Sequence, residues 1–349
     1  MSSMVEVAAQ HQQSGAVHIA WTSFQRRQVS MAPLAGFECV FMPLRPGTGS
    51  RLRKAYEYAR QFFRTLGYLR TRRPSVVWVQ LPQVPLLWAA LAYRFLFAKN
   101  TKLVADCHNS MFRPPWSRVP AGIRLLSRCD LILVHNDAIL TTALSMGLPR
   151  DRTLVLEDVP PSTTGAAEGA LPAALVGMPR PWVLFPGSFS ADEPVAQLLE
   201  AARLLHGGTI VMTGRTQRAA RNGHDLSRVP PNVLLPGFLS VEDFDALLKA
   251  CDVVLALTRF DGIQLSVCNE ALGFGKPMVL SDTPLLRAMF SEAAVMVASD
   301  DPIALAAAIE RAASEGEHLV ASATRLAVHR RRAWLEGAFG EVRRQLARA

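Results

Sequence analysis

Short apolar runs alternate with amphipathic stretches along the whole chain, and this alternation predicts its secondary structure. The amphipathic stretches, for example residues 195–205, 241–250 and 303–313, have the spacing of helices with one buried face. The apolar runs between them are short and rich in aliphatic and β-branched residues, which is typical of strands buried on both faces. They predict strands at residues 17–21, 76–79, 103–105, 131–134, 153–156, 182–185, 209–212, 233–235, 253–257, 277–280 and 295–297. We therefore expect an α/β fold with parallel sheets.

A stretch rich in proline, glycine and small residues interrupts this pattern at residues 160–179, and we interpret it as a linker. It predicts one domain at 1–160, a second at 180–320, and a long basic helix within 321–349 that can cross back to the first domain. Both domains alternate strands and helices, as doubly wound domains do. In such a pair we expect the carboxyl ends of the strands to face a central cleft, where ligands bind.

Composition narrows the class of protein. Half of the 349 residues are hydrophobic and 19% are charged, which excludes a disordered chain. The five cysteines are scattered without a CxxC pair, so we expect neither a disulfide framework nor a zinc site, and a reducing compartment fits. The polar start at residues 1–15 lacks the order of a signal peptide. Arg94 interrupts the longest apolar run, at 86–98, so we expect no transmembrane helix.

Basic charge is concentrated in the first half of the chain. Residues 1–160 contain 20 Lys and Arg against nine Asp and Glu. Within them, residues 51–73 contain eight basic residues, one acid and several aromatics near helical spacing, which predicts a basic helix at an anionic membrane surface. A solvated helix packed on its own sheet explains the same pattern. Nucleic acid is not expected as a partner, because no recognition motif accompanies the charge.

The most informative segment is 258–282, which predicts a strand, a loop, a helix that carries Glu270, a Gly-Lys-Pro turn and another strand. The N–H groups of a helix N-terminus can bind a diphosphate, and a carboxylate one turn further on can accept hydrogen bonds from two ribose hydroxyls. An exposed glutamate followed by a helix stop fits the spacing equally well. No GxGxxG or Walker motif follows a strand, which disfavours dinucleotide oxidoreductases and P-loop ATPases.

This segment resembles the donor-binding signature of the group 1 glycosyltransferases, which have the GT-B fold of two Rossmann-like domains. The residues that match the second half of the signature are Glu270, Ala271, Gly275, Pro277, Ser281 and Asp282. The first acid of the signature, expected eight residues before Glu270, is Gly262 here, and Asp261 stands one residue further away. The resemblance implies that Glu270 binds the ribose of a nucleotide sugar and that Asp261 contacts the donor. The remaining donor-loop residues are expected to be Gln264, Leu265 and Ser266.

Three other segments are similar to the chitobiosyldiphosphodolichol β-mannosyltransferase family of N-glycan assembly. They are residues 79–86 (VQLPQVPL), 102–109 (KLVADCHN) and 186–194 (PGSFSADEP). They occur in the same order as in that family and extend the resemblance over both halves of the chain. Group 1 enzymes retain the anomeric configuration and the β-mannosyltransferase inverts it, so the stereochemical outcome stays open.

These segments supply further candidate site residues. We expect Asp106 and His108 just beyond a strand end, facing the cleft, where either can take the proton of an acceptor hydroxyl or hold the donor sugar. His108 can instead cap the helix that follows. Gly187 and Ser188 would let the backbone approach the donor phosphates or the acceptor. The acids and proline at 192–194 predict the start of a helix.

Two residues beyond other strands complete the predicted donor site. Arg215 can grip a diphosphate through two parallel hydrogen bonds, although it is equally typical of a basic surface loop with Arg218 and Arg221. Phe238 corresponds by resemblance to a group 1 position that faces the nucleotide base. A core position for Phe238 is the alternative.

Together these features predict a cytoplasmic glycosyltransferase, peripheral at the inner face of the membrane. It would move a hexose, with mannose as one candidate, from a UDP- or GDP-linked sugar to a glycan or lipid-linked acceptor in surface polysaccharide or glycolipid synthesis. The first domain would bind the acceptor and the second the donor. We expect no metal cofactor, because a helix dipole and basic side chains can stabilise the leaving diphosphate. A nucleotide-sugar 2-epimerase of the same fold and a non-enzymatic basic membrane- or RNA-binding protein stay open as alternatives.

Overall fold

The computed structural model describes residues 15–45, 50–162 and 169–348. The polar start, where no signal peptide is expected, lies almost wholly outside this described part. The middle of the expected linker, at 163–168, also lies outside it. The chain divides into two compact units. Unit 1 contains the residues up to Val159 together with those from Arg332 onwards, and unit 2 contains Pro160–Arg331.

Unit 1 is built on a parallel six-stranded sheet in the order β2-β1-β3-β4-β5-β6. Its strands are β1 (Ala16–Ala20), β2 (Glu38–Phe41), β3 (Val76–Leu81), β4 (Lys102–Cys107), β5 (Leu131–Val134) and β6 (Thr153–Val155). Its first five helices are α1 (Arg26–Ala35), α2 (Arg51–Arg72), α3 (Val84–Phe97), α4 (Gly122–Leu126) and α5 (Asp137–Ser145). Five of these strands were predicted from the sequence. The strand β2 was not, because it is a short edge strand that is buried on neither face.

Unit 2 contains a second parallel six-stranded sheet, in the order β12-β11-β10-β7-β8-β9. Its strands are β7 (Trp182–Pro186), β8 (Thr209–Thr213), β9 (Val233–Gly237), β10 (Val253–Ala256), β11 (Met278–Ser281) and β12 (Ala294–Val297). Its helices are α6 (Val195–Leu204), α7 (Val241–Ala250), α8 (Ser266–Gly273), α9 (Pro284–Phe290), α10 (Pro302–Ser314) and α11 (Gly316–Ala333). All six strands and the three amphipathic helices predicted for this half are confirmed, with ends that differ by one or two residues.

The C-terminal segment folds against unit 1. The sequence predicted a single helix here. The structure instead has α11, a π-helical turn at Trp334–Ala338 and a further helix, α12 (Phe339–Arg348). The π turn aligns residues five apart, so Trp334 and Phe339 stack with ring centroids 4.6 Å apart. Both rings are buried in one core of unit 1, and the indole N–H of Trp334 donates to the carbonyl of Glu157 at 3.0 Å.

Strand order identifies where each sheet is expected to bind a ligand. In a doubly wound sheet, ligands bind outside the carboxyl ends of the strands, where the direction of strand addition reverses. This switch point lies between β1 and β3 in unit 1 and between β7 and β10 in unit 2. Among the described residues, no helix is long and apolar enough to cross a membrane.

Candidate functional site

The loop after β7 lies at the switch point of unit 2, and its own side chains fix its shape. The backbone N–H and the hydroxyl of Ser188 both donate to Oε1 of Glu193, at 2.9 and 2.6 Å. Gly187 precedes it in a tight space, since a Cβ there would lie 3.2 Å from the Phe185 ring and from the Thr213 carbonyl oxygen. Local hydrogen bonds and close packing therefore fix the predicted residues Gly187 and Ser188 at the carboxyl end of this sheet.

Asp192 and Glu193 build this loop and do not start a helix. The prediction of a helix start at 192–194 is wrong by one residue, because α6 begins at Val195. The carboxylate of Asp192 accepts hydrogen bonds from Ser190 at 2.6 Å and from the Thr258 hydroxyl at 2.7 Å. Thr258 follows β10, so Asp192 joins the exits of the two strands that border the switch point.

The N-terminus of α8 offers a site for an anion in unit 2. The helix begins at Ser266, its N-cap residue Leu265 is extended, and no side chain caps its first turn. Its first N–H groups therefore lack the side-chain acceptor that would otherwise satisfy them, and they can bind an anion. Ser266 is exposed, while Gln264 and Leu265 are half-buried beside it.

Glu270 lies on α8 one turn beyond this end and is half-buried. The sequence pattern predicted this arrangement of helix end and carboxylate. Asp261 is exposed in the preceding loop, and Gly262, which follows it, adopts a left-handed φ of 71°. Its contact with a donor stays a prediction.

Other residues of the 258–282 signature have structural partners. The hydroxyl of Ser281 accepts a hydrogen bond from the backbone N–H of Thr258 at 2.9 Å, which fixes the exit of β10. Gly275 lies two residues after the end of α8 and adopts the left-handed backbone conformation, with a φ of 62°. Asp282 forms an exposed ion pair with Arg287. These residues shape the frame that carries Glu270.

Arg215 and Phe238 follow neighbouring strands, β8 and β9, and contact each other. The guanidinium of Arg215 lies 4.7 Å from the centre of the Phe238 ring. Phe238 is 70% exposed, so the alternative of a core position is wrong. A backbone hydrogen bond of 2.8 Å from Gly214 to Gly237 holds the two strand exits together. Gly214 must be glycine here, because a Cβ would lie 1.9 Å from the carbonyl oxygen of Gly187.

In unit 1, Asp106 lies inside a buried ion-pair network. The expectation that Asp106 stands beyond a strand end and faces a cleft is wrong, because it lies within β4 and its side chain is fully buried. Arg27 donates from Nε and Nη2 to its carboxylate at 3.0 to 3.2 Å. The same guanidinium donates to Asp158 at 2.5 Å and to the Leu156 carbonyl at 2.8 Å. Burial raises the pKa of Asp106, but the charge and the hydrogen bonds of Arg27, together with the neighbouring histidines, outweigh burial and hold the pKa at about 2.

Three histidines surround this carboxylate. His18 Nε2 lies 3.6 Å and His135 Nε2 3.8 Å from the nearest Asp106 oxygen. Burial, together with the charge of Arg27, lowers the pKa of both rings to about 4. His108 is exposed at the edge of this cluster, and its ring centroid lies 5.3 Å from that of His135. The protein around the ring removes part of its water, which lowers the pKa of His108 as well, so His108 is neutral at pH 7 and can accept a proton.

The sequence analysis missed Arg27, Asp158, His18 and His135. Their partners lie 29 to 131 residues away, and no spacing rule connects such distances. One local signal exists, because Arg27 and His135 both lie shortly after predicted strands. Polar residues at such positions are candidates for the carboxyl edge of a parallel sheet. Among the described residues, no group of three His, Cys, Asp or Glu side chains could hold a metal ion.

Residues 180–315 match the family model described as Glycosyl transferases group 1. The matched segment lies within unit 2 and contains α8, Glu270, Arg215 and Phe238. No curated protein sequence matches the chain. The resemblance to the chitobiosyldiphosphodolichol β-mannosyltransferase family is not confirmed by any match and stays a prediction.

Solved structures resemble almost the whole chain. HepE from Anabaena in complex with UDP has a TM-score of 0.62 at 13% identity, covering 96% of this chain and 100% of that one. Sucrose-phosphate synthase from Thermosynechococcus elongatus has a TM-score of 0.63 at 14% identity, covering 95% and 98%. A glycosyltransferase from Rickettsia africae has a TM-score of 0.62 at 10% identity, covering 96% and 99%. The fold is GT-B, as predicted.

Proposed function

We propose that this protein is a glycosyltransferase that takes its sugar from a nucleotide-linked donor. The observation that carries the proposal is the position of Glu270 one turn beyond the uncapped N-terminus of α8, within the segment that matches the group 1 model. A nucleoside diphosphate presents a diphosphate and a ribose diol close together. A helix N-terminus followed by a carboxylate complements both groups.

Arg215 and Phe238 complement the rest of a nucleotide. Both are exposed at the carboxyl ends of neighbouring strands, and each is free to turn one face toward a ligand. In the proposed complex Phe238 stacks on the base and Arg215 supports the diphosphate with its planar guanidinium. HepE was solved with UDP-glucose as well as with UDP, which makes UDP-sugars the first donors to test and GDP-sugars the second.

His108 is the proposed base of unit 1. It is exposed, neutral at pH 7, and lies where β4 ends. A neutral imidazole can take the proton of an acceptor hydroxyl while that hydroxyl attacks the sugar. Asp106 would act indirectly, because its buried pair with Arg27 fixes the end of β4 from which His108 projects.

The membrane assignment is also a proposal, and it rests on the surface of α2 and α3. Leu52 and Phe63 on α2 are 83% and 68% exposed, and Phe95 near the end of α3 is 77% exposed. Arg70 lies over the ring of Phe97 at 5.2 Å, so basic and aromatic groups share this surface. Exposed aromatics among basic groups suit the head-group region of an anionic leaflet. Such a surface supports a lipid-linked acceptor for the hexose, reached at the cytoplasmic face of the membrane, in polysaccharide or glycolipid synthesis.

A screen of donors tests the proposal. The melting temperature is measured with UDP, GDP, UDP-glucose and GDP-mannose, and release of the nucleoside diphosphate is followed with lipid extracts as acceptor. We expect one nucleotide to raise the melting temperature of the wild type and to raise that of Glu270→Gln much less. Glu200→Gln removes the same charge from the exposed face of α6 and is the matched control. Failure of every nucleotide to stabilise the wild type would contradict the proposal.

A further inference from the structure

Asp158 and Asp106 share a single cation. Asp158 lies three residues beyond β6, its side chain is 16% exposed, and its carboxylate accepts a hydrogen bond from Nη1 of Arg27 at 2.5 Å. Asp106 holds the other two nitrogens of the same guanidinium. No other described Lys or Arg pairs with either carboxylate. When both carboxylates are ionised, the three side chains therefore keep one negative charge in excess.

Both carboxylates are ionised at neutral pH. Burial and the charge of Asp106 raise the pKa of Asp158, but the charge and the hydrogen bond of Arg27, together with His135, outweigh them and leave this pKa below its usual value. The pKa of Asp106 is about 2. The excess charge lies mainly on Asp158, because Arg27 gives two nitrogens to Asp106 and only one to Asp158.

The backbone fixes Asp158 in this place. The carbonyl of Leu156 accepts from Nη2 of Arg27 at 2.8 Å, and the carbonyl of Glu157 accepts from the indole N–H of Trp334 at 3.0 Å. Val159, on the other side, is buried. These anchors hold the carboxylate of Asp158 at the edge of the ion-pair network instead of in bulk water.

His108 is the group of this cluster that can take up the missing positive charge. The charged and titratable groups around it come from five segments: Arg27 of α1, His18 of β1, Asp106 of β4, His135 after β5 and Asp158 after β6. His18 and His135 have a pKa of about 4, so both are neutral at pH 7. Burial lowers the pKa of His108, the charges of Asp158 and Asp106 raise it, and the charge of Arg27 lowers it.

We infer that Asp158 is a positioning residue for His108, because its excess charge stabilises the imidazolium that forms when this ring accepts a proton. In that step the proton moves from a hydroxyl to a ring nitrogen of His108, and the cluster passes from one excess negative charge to none. Asp158 acts only through His108. The inference rests on the proposed function in one respect, namely that the hydroxyl belongs to the acceptor.

An NMR titration of the histidines in the full chain tests the inference without any substrate. The signal of His108 is identified by its loss in His108→Gln. Asp158→Asn removes the charge and keeps an oxygen for Arg27, Asp158→Ser is a second neutral variant, and Asp158→Glu restores the charge. Asp151→Asn is the matched control, because Asp151 is an exposed carboxylate of the same unit.

We expect His108 to bind its proton at least about threefold more weakly in both neutral variants than in the wild type, since a nearby carboxylate favours the charged ring. Asp158→Glu should recover most of this loss, and Asp151→Asn should titrate like the wild type. Unchanged proton binding by His108 in a folded neutral variant, or an equal loss in Asp151→Asn, would overturn the inference.

The pH profile of turnover supplies the second readout. A general base loses activity as the pH falls through its pKa, so the acidic limb of the profile should move to lower pH in Asp158→Asn. The plateau should drop by no more than the factor lost in proton binding, while the KM for the donor stays unchanged. An acidic limb that stays in place would overturn the inference, because a merely structural role changes stability and leaves this limb where it is.

The two readouts also separate this inference from the proposed function. If His108→Ala keeps wild-type turnover while Asp158→Asn still weakens proton binding by His108, the proposed base is overturned and the effect of Asp158 on the ring stands. If His108→Ala loses turnover while neither neutral variant affects proton binding, only the inference about Asp158 is overturned.

Discussion

Arg27 grips the buried carboxylate of Asp106 with two nitrogens, Nε and Nη2, although 79 residues separate the two in sequence. The pair joins the first turn of α1 to the interior of β4. The third nitrogen of Arg27, Nη1, donates to Asp158, so one cation compensates two carboxylates in the interior of unit 1. The geometry explains how Asp106 stays ionised at a position that has no exposed surface.

We expect Arg27→Met to destabilise the protein strongly. It leaves Asp106 and Asp158 without their cation, and removing one partner of a buried ion pair costs about 3–5 kcal/mol. The free energy of unfolding in urea measures the loss. Arg118→Met is the control, because Arg118 is exposed, and it should change the value by less than about 0.5 kcal/mol. Equal stability of the two variants would contradict the role assigned to Arg27.

The buried histidines predict a loss of stability in mild acid. His18 and His135 have a pKa of about 4 in the folded protein and 6.5 as a reference. Below pH 6.5 the unfolded chain takes up protons that the folded protein refuses, so stability falls from pH 6.5 down to about pH 4. The loss is about 3 kcal/mol for each histidine. Asp106 adds a further loss only between its reference value of 3.8 and about 2.

Unfolding in urea at several pH values between 4 and 8 checks this prediction. His18→Gln should flatten the curve, while His329→Gln, which changes an exposed residue of α11, should leave it unchanged. A free energy of unfolding that is constant between pH 7 and pH 4.5 would contradict the burial of neutral imidazoles.

His108→Ala should lower turnover and leave nucleotide affinity unchanged. Loss of a general base typically costs about 10²–10⁴-fold in rate, whereas the proposed nucleotide contacts all belong to unit 2. Turnover is measured by release of the nucleoside diphosphate, and affinity by calorimetry. His206→Ala, an exposed residue of unit 2, serves as the control. A variant with wild-type turnover would show that His108 has only a structural role.

Vesicle binding tests the surface of α2 and α3. Arg64 and Arg70 are exposed on α2, whereas Arg60 and Arg72 are paired with acids. Changing Arg64 and Arg70 to Gln should weaken binding to anionic vesicles about 30-fold, at about 1 kcal/mol for each charge near the surface. Changing Arg218 and Arg221 of unit 2 to Gln is the charge-matched control.

The same series should show binding that falls steeply by about 0.5 M salt, since charges are screened over shorter distances as salt rises. Binding to neutral vesicles should be weak. Equal binding of both double variants, or equal binding to neutral and anionic vesicles, would contradict a basic membrane surface on unit 1.

Local pattern sufficed for most of the fold and for part of the site. Eleven strands and the helix that carries Glu270 follow from apolar runs and helical spacing, which neighbouring residues determine. Two local predictions were wrong for physical reasons. Acids before a proline can fold back on their own loop as Glu193 does, and an aspartate near a strand end can lie inside the strand, as Asp106 does.

The remaining part of the site depends on packing between distant segments. Arg27 meets Asp106 only because β1 and β4 belong to one sheet with β3 between them, and the sequence pattern contains no pairing information of that kind. The pocket that Trp21, Gln80 and His108 line has the same origin, since these residues lie at the ends of three different strands. The register and order of the strands had to be known first.

The central claim is that α8 and Glu270 bind the nucleotide of the donor, and isothermal titration calorimetry tests it most directly. The wild type, Glu270→Gln and Glu200→Gln are titrated with whichever of UDP or GDP stabilises the protein more. Loss of charged hydrogen bonds to the ribose costs about 1.5–3 kcal/mol, so Glu270→Gln should bind roughly 10- to 150-fold more weakly. Glu200→Gln should bind like the wild type. Unchanged affinity in a folded Glu270→Gln variant would contradict the account.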